Sequence, residues 1–552
     1  LGWTAVADGD GGALSSYELR CASDPITAEG DWTAADTFPA MTVPGTAGTM
    51  QSEVVGGFRP GETSHCVLRG VDAAGMMTPL PASGATVTVD FLEHDVESGS
   101  ATAGRMGGFA MAVGDVNGDG IDDALFAGNG EAYLYFGSAT GLGATANVVI
   151  NSMGTAQFGR QIAGLGDFNG DGRPDFAISD AAFAVGGEPA HGAVYVFFGR
   201  PSTTPWPATI TVSSTGSGAG TCSGANVCFV GDDGVAGSGP DTFAVFGRSI
   251  SAAGDFDGDG FMDLVVGAFN ANGGNGRVYV LLGDASYASG VGAAVPGTGT
   301  GPDGFYVEAT GAMYSGLGNR VSTLGGDLGT DMRHDILVSA PGGSVPAAVL
   351  FLGGRAHTAG TGLANLAITA LMPVATGTAA QFGTEISGAG DINGDGILDA
   401  LVYDTRGSNV GRVTAYLGRA TGFAGAMSFT ITNDASSPAD DKFGAYLGLG
   451  RHPSLAVLGD MDGDRVADVL IGSSEAGPAM TPGTAHLFYG DASTASRVRS
   501  SSEVVFTGAS GSGLNDGLHT GYVGDLNGDG YPDIALGDPA FGGGQGRVIV
   551  RY

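Results

Sequence analysis

The sequence turns on a ten-residue stretch, GDVNGDGIDD at 114–123, that returns as GDFNGDGRPD at 166–175 and GDFDGDGFMD at 254–263. It continues as GDLGTDMRHD at 326–335, GDINGDGILD at 390–399, GDMDGDRVAD at 459–468 and GDLNGDGYPD at 524–533. The leading aspartates lie 52, 88, 72, 64, 69 and 65 residues apart. That period is too long for a solenoid turn and suits about four strands with their loops.

The flanks recur with the motif. Nine residues before the leading aspartate stands an X-Gly pair: Met106-Gly107, Phe158-Gly159, Phe246-Gly247, Phe382-Gly383 and Asp516-Gly517. A short apolar run follows each motif, as in DLVVG at 263–267 and DILVS at 335–339. A Gly-led run comes next: GEAYLYFG at 130–137, GAVYVFFG at 192–199, GRVYVLLG at 276–283, GRVTAYLG at 411–418 and GRVIVRY at 546–552. A β-branched run is expected to close the unit, as in ATITVSS at 208–214, FTITN at 429–433 and EVVFTG at 503–508. Each unit therefore reads as strand, aspartate loop, strand, turn, strand, turn, strand. No segment sustains a 3.6-residue apolar period, so no substantial helix is expected. Units of this kind in tandem protect their sheet edges best by radial closure. The expected fold is an all-β, seven-bladed β-propeller behind a small N-terminal β-sandwich.

Composition agrees. Glycine makes up 103 of 552 residues without a three-residue period, and the apolar share of 43% is too high for a disordered chain. The formal charge is −35, with Lys442 the single lysine. Such a surface repels phosphate backbones and anionic lipid, which argues against nucleic acid and membrane surfaces as partners.

The aspartate loops have a chemical reading. In the first, Asp115, Asn117, Asp119 and Asp123 occupy positions 1, 3, 5 and 9, and the Ile121 carbonyl stands at position 7. The second offers Asp167, Asn169, Asp171, Arg173 (carbonyl) and Asp175; the third Asp255, Asp257, Asp259, Phe261 (carbonyl) and Asp263. The fifth offers Asp391, Asn393, Asp395, Ile397 (carbonyl) and Asp399; the sixth Asp460, Asp462, Asp464, Val466 (carbonyl) and Asp468. The seventh offers Asp525, Asn527, Asp529, Tyr531 (carbonyl) and Asp533. Hard oxygen ligands at alternate positions of a tight, Gly-turned loop suit Ca²⁺; magnesium demands stricter geometry, and the absence of His and Cys disfavours zinc and copper. The first five positions imitate an EF-hand, but Phe126 stands where its position-12 acid would be, so position 9 must close the site. The fourth loop keeps only Asp327, Asp331, Arg333 (carbonyl) and Asp335, with Gly329 at position 3 and Met332 at the usual glycine. Arg465 replaces the same glycine in the sixth, where a positive φ is strained. Calcium is expected at six loops, with the fourth left open.

These repeats resemble the FG-GAP family, which forms the propeller of integrin α subunits and of many bacterial surface proteins. The Phe-Gly pairs, the DxNGDGxxD loops, and SAP at 339–341 and GDP at 537–539 carry the likeness over roughly residues 100–552. The departures are the missing Phe-Gly in repeats one, four and seven and the degenerate fourth loop. The resemblance implies a seven-bladed propeller (residues 92–552) with calcium between the first two strands of a blade. It supplies no ligand, because this architecture hosts adhesion, scaffolding and some enzymes.

Residues 1–91 show a second resemblance, to fibronectin type III, carried by Leu1-Gly2-Trp3, SSYELRC at 15–21, VVGGFRPGETSHCVLRGVDAAG at 54–75 and ATVTVDF at 85–91. Ser64 occupies the usual tyrosine-corner position and the first strand is missing. Period-two alternation points Tyr17, Leu19 and Cys21 inward, with Cys66 and Leu68 on the neighbouring strand, which allows a Cys21–Cys66 disulfide, with buried free thiols as the alternative. Cys222 and Cys228, in a Gly/Ser-rich loop, are expected to form another, and both point to an oxidising compartment. The chain starts at Leu1 without a signal peptide or spanning stretch, and reads as part of a processed or longer polypeptide.

Alternating strand direction puts the aspartate loops and the third-to-fourth strand turns on one face. The largest insertion, about 215–245, is expected on the opposite face as a blade connection. The missing outer strand of the last unit must come from elsewhere, and FLEHDVESGSATAG at 91–104 is a poor strand candidate. The functional expectation is a calcium-binding, extracellular or cell-surface adhesion or recognition module that binds a protein or glycan through propeller loops. The alternatives are a structural segment of a larger surface adhesin or appendage, and a propeller enzyme acting on polysaccharide. Eight scattered histidines and the absence of GxSxG and HExxH motifs weigh against an enzyme.

Overall fold

The structure is a computed structural model. It describes residues 2–4, 14–22, 24–37, 50–52, 63–72, 76–81, 85–88, 93–97, 104–152, 157–184, 191–215, 221–231, 246–287, 291–294, 304–309, 315–329, 331–342, 347–351, 353, 361–362, 369–371, 382–406, 410–419, 422–423, 427–434, 441–444, 454–475, 483–493, 495–508, 519–522, 524–538 and 546–552. Two compact units emerge: residues 1–92 with 461–464 and 529–531, and residues 93–460, 465–528 and 532–552.

In the first unit, Leu14–Ala22 lies between Asp36–Thr37 and Thr63–Asp72, and Ala85–Thr88 extends the sheet beyond Thr63–Asp72. Gly2–Thr4 pairs with Met50–Ser52. Tyr17, Leu19, Cys21 and Cys66 form a buried cluster, as alternation along the strand predicts. Cys21 stands directly opposite Cys66 and is disulfide-bonded to it. A six-residue helix, Glu29–Ala34, buries Trp32, whose ring lies 5.2 and 5.1 Å from the guanidinium carbons of Arg20 and Arg69.

The second unit is all-β and has a β-propeller arrangement. Among the described residues, six of its sheets have an antiparallel core drawn from one repeat each. The first runs Gly104–Gly114, Asp123–Asn129, Glu131–Tyr135, Val148–Ser152; the second Phe158–Gly166, Asp175–Asp180, Ala193–Phe197, Val227–Val230. The third runs Ser249–Gly254, Asp263–Ala268, Arg277–Leu281, Gly304–Glu308, and the fourth Val321–Thr323, Ile336–Ala340, Ala347–Phe351, Thr369–Leu371. The fifth runs Ile386–Gly390, Asp399–Arg406, Val410–Tyr416, Met427–Thr432. In the sixth, Leu455–Gly459 and Asp441–Phe443 both pair with Asp468–Glu475, and Thr484–Phe488 and Val504–Thr507 follow. A further sheet joins His519–Tyr522, Ile534–Asp538 and Arg547–Arg551 to Glu93–Glu97.

The middle strands of each sheet are packed on both faces, so they read as continuous apolar runs. DFAISD, DLVVGA and IALGD are buried at every position, whereas the outer strand Val504–Thr507 alternates. The cores therefore lie between sheets: Leu125, Leu134 and Ile150 of the first meet Phe158, Ile178 and Tyr195 of the second. The same happens between the second and third, third and fourth, fourth and fifth, and fifth and sixth sheets. Phe126 and Tyr135 of the first sheet meet Val548 and Val550 of the last.

Three expectations change. First, ATITVSS does not close its own unit. Thr209–Thr215 pairs in parallel with Val148–Ser152 of the preceding sheet, and Val227–Val230 is the fourth strand instead. Val291–Ala294, Thr361–Gly362 and Arg497–Val498 join the preceding sheets in the same way. Each comes from the connection between the third and fourth strands, and a β-branched run alone cannot say which sheet it will join. Second, the 215–245 insertion is not one connection on the far face. Its first part precedes the fourth strand, in the segment whose Arg200 N–H and Trp206 Nε1–H donate to the Val116 carbonyl of the first aspartate loop, at 2.8 and 3.3 Å. Cys228, on that fourth strand, is disulfide-bonded; the Cys222 side chain and residues 232–245 lie outside the described residues. Third, Glu93–Glu97 does form a strand, antiparallel to Arg547–Arg551. An outer strand needs backbone pairing more than apolar side chains, and charges there discourage further strand addition.

Candidate metal centre

Every aspartate loop joins the first strand of its sheet to the second, and backbone N–H groups fix its acids. In the third loop Asp255 accepts from Gly258 N–H at 2.7 Å and from Gly260 N–H at 3.1 Å. Asp257 accepts from Asp259 N–H, and Asp259 from Phe261 N–H. Asp263 is fully buried and accepts from Phe256 N–H and from Gly283 N–H at the end of the third strand, each at 2.8 Å. Position 1 thus ties the loop to itself, and position 9 ties it to the sheet.

The other loops share this frame. Asp115, Asp167 and Asp391 accept from the position-6 N–H of Gly120, Gly172 and Gly396. Asp123, Asp175, Asp399 and Asp533 accept from the position-2 N–H of Val116, Phe168, Ile392 and Leu526. Asn169 and Asn393 accept from the Asp171 and Asp395 N–H groups, while Asn117 donates to Asp123. At position 7, the Ile121, Arg173, Arg333, Ile397 and Tyr531 N–H groups donate to Asp119, Asp171, Asp331, Asp395 and Asp529. The Arg173 side chain also pairs with Asp171 at 3.0 Å.

Among the described residues, two loops gather three acids closely. Oxygens of Asp255, Asp257 and Asp263, and of Asp460, Asp462 and Asp464, lie within 4.8 Å of one another. Asp259 is outside the first group, and Asp468 anchors the sixth loop instead, accepting from Gly490 N–H at 2.9 Å. The fourth loop keeps the frame without the full acid set: Met332 N–H donates to Asp327, and Leu328 and Gly353 N–H to Asp335. Met332 and Arg465 hold the position-6 turn at φ 63° and 72°, a left-handed conformation that costs a side chain about 1–2 kcal/mol. His334 belongs to packing: its backbone N–H donates to the Asp255 carbonyl at 3.0 Å.

Burial pushes the position-9 carboxyls far above the ordinary carboxylate range, and neighbouring acids add to it, against the pull of the backbone N–H groups. Asp123 and Asp263 rise to about 8, Asp175 and Asp399 to about 7, and Asp335 to about 6. Asp257 is also raised, by burial and then by Asp259 and Asp255. Acids raised in this way by burial and by neighbouring acids are compatible with a hard divalent cation, which reverses the local electrostatics. An oxygen-only donor set fits calcium among such ions.

Two features escaped the sequence reading. The glycines that end the third strands (Gly137, Gly199, Gly283, Gly353, Gly418 and Gly490) donate to position 9, and their recurrence after each Gly-led run was the available signal. The fourth and sixth repeats also have X-Gly pairs, at Leu317-Gly318 and Phe443-Gly444, with φ 82° at both glycines. Insertions shift both away from nine-residue spacing. Asp516-Gly517 lies outside the described residues.

Residues 246–281 and 519–550 match the FG-GAP repeat, and residues 115–178 match the FG-GAP-like repeat. The chain carries FG-GAP repeats. They bring it close to integrin alpha-4 of Xenopus laevis, 30% identical over 187 residues, 31% of this chain and 15% of that protein. Human integrin alpha-IIb is 30% identical over 191 residues, 30% of this chain and 15% of that protein. Mouse phosphatidylinositol-glycan-specific phospholipase D is 33% identical over 127 residues, 21% of this chain and 15% of that protein. The chain thus spans about 15% of the length of these relatives. The FG-GAP repeats and the integrin likeness support an integrin-like propeller. Among the described residues, no helix is long and apolar enough to cross a membrane.

Proposed function

We propose that this chain is a calcium-stabilised adhesion or recognition module of the extracellular space or cell surface, which binds rather than catalyses. One observation carries the reading: repeated loops hold several acids in a fixed backbone frame, with the position-9 carboxyl of each loop buried. Calcium in the six loops other than the fourth would be held by positions 1, 3, 5 and 9 with the position-7 carbonyl. The ion would supply charge neutralisation and would join the first and second strands of each blade.

The propeller is proposed to have seven blades, the last completed by Glu93–Glu97, behind a fibronectin type III-like domain. Likeness to integrin α chains favours a protein or glycan ligand, and the disulfides favour an oxidising compartment. Recognition is assigned to the second-to-third strand turns and blade connections, since loops on a rigid scaffold can vary freely. Metal analysis of the purified protein, with melting before and after chelation, tests the calcium reading. A metal-free protein with unchanged melting would overturn it. Deleting residues 232–245 should impair ligand capture more than deleting 216–220, and the reverse order would overturn the proposed face.

A further inference from the structure

The connection between the third and fourth strands of the sixth sheet crosses to the rim of the fifth and returns. Within it, Arg497 and Val498 pair in parallel with Ile431 and Thr432, at the outer edge of Met427–Thr432. Side chains fasten it there. Ser496 Oγ accepts from Thr430 N–H at 3.2 Å, and the Ser500 N–H and hydroxyl donate to Asp434 at 3.1 and 2.7 Å. Residues 495–502 thus form a strap over the edge of the fifth sheet.

The way back to the sixth sheet runs through one imidazole. His486, on Thr484–Phe488, is 4% exposed. Its Nε2 accepts from Arg499 Nε–H at 2.9 Å and lies 3.0 Å from Thr484 Oγ1, which accepts from the same guanidinium at 3.0 Å. A guanidinium only donates, so Nε2 must carry a lone pair. The proton of the neutral ring is then on Nδ1, which donates to Ser502 Oγ at 3.1 Å. Phe443 lies 5.7 Å from the ring, and Ile471 and Val505 stand opposite it on the flanking strands. Arg499 is the charged group against the imidazole. Around the strap, Arg497 pairs with Asp491 and lies 3.8 Å from Glu503, while Asp434 holds Ser500. A second proton would have to enter at Nε2. It would cost the bond from Arg499 and set two cations side by side.

We propose that the strap is an acid-released latch: proton uptake at His486 frees residues 495–502 and uncovers the outer edge of the fifth sheet. The unfolded chain takes up this proton near pH 6.5, whereas the latched ring is held neutral. The latch is therefore complete above about pH 6.5 and is lost as pH falls. None of its residues belongs to an aspartate loop, so it stands apart from the calcium reading.

Hydrogen exchange of the full chain in excess calcium, at about pH 7.5 and about pH 5.5 and corrected for intrinsic rates, reads the strap directly. Acid should raise exchange about tenfold at residues 427–432 and 495–502. It should do far less at residues 148–152 and 209–215, where a parallel strand is held by the uncharged Thr211–Asn151 contact. His486→Gln, which offers Arg499 an acceptor but takes no proton, should stay protected at both pH values. Arg499→Met, at a partly exposed position, should open the strap at neutral pH and leave acid little to add. Equal acid responses at the two parallel strands of the parent, or an acid response that survives both substitutions, would overturn the latch.

Discussion

The third and fourth aspartate loops share one backbone frame and differ in chemistry. In both, position 1 accepts the position-6 N–H, at 3.1 and 2.7 Å, and position 9 accepts the position-2 N–H, at 2.8 Å in each. Yet the third has acids at positions 1, 3, 5 and 9, whereas the fourth has Gly329 at position 3 and Met332 in place of the turn glycine. Burial, the main cause at both, pushes Asp263 up to about 8 and Asp335 only to about 6, with neighbouring acids adding to each. Two carboxylates accepting backbone N–H groups are enough to shape the loop. Under the calcium proposal, the remaining acids are the ligands that the fourth loop lacks.

Chelation offers the largest way to break this comparison. A site occupied at 100-fold excess over its dissociation constant stabilises the folded state by about 2.7 kcal/mol, so several sites together should move the calorimetric melting temperature sharply downward on chelation. Single substitutions come next. In calcium, Asp263→Asn should lose about one such increment, while Asp335→Asn should stay within about 1 kcal/mol in denaturant titrations. Equal losses would show that the two loops do the same work.

The pH dependence sharpens the contrast. An aspartate whose folded pKa is raised binds more protons folded than unfolded, between its unfolded value near 4 and its raised value. Without metal, stability should therefore fall as pH rises from about 5 to 8, through Asp123, Asp175, Asp263 and Asp399. In calcium the trend should reverse, because protons compete with the ion. Melting curves at fixed ionic strength check both signs. The smallest effect belongs to Met332→Gly, which relieves a left-handed turn and should stabilise by about 1 kcal/mol with no change in metal content.

Much of this was legible before any coordinates. The recurring GD…D motif fixes a side chain at alternate positions of a tight turn, so the loops and the strands beside them follow from local chemistry. Tyr17, Leu19 and Cys21 faced inward because a strand has a period of two. What could not be read was partner choice at the outer edges. Thr209–Thr215 has the composition of a fourth strand, but nothing local says that it will join the preceding sheet. Glu93–Glu97 looked too charged to be a strand, because its role rests on main-chain bonds that sequence pattern does not display. The glycines that hold position 9 were visible as repeats, but their partners are 14 to 24 residues away, across a hairpin.

The outer strands that run parallel to a neighbour's edge put the sequence period and the structural period out of phase. Thr209–Thr215, Val291–Ala294, Thr361–Gly362 and Arg497–Val498 each lie within one repeat and complete the sheet of another. Excising one motif-to-motif segment would thus remove a blade and also strip the rim of the blade before it. Insertion and deletion should be better tolerated within a single connection than at the boundary the repeats suggest. A designer wishing to lengthen or shorten this array would have to cut between an outer strand and its borrowed companion, not between one aspartate loop and the next.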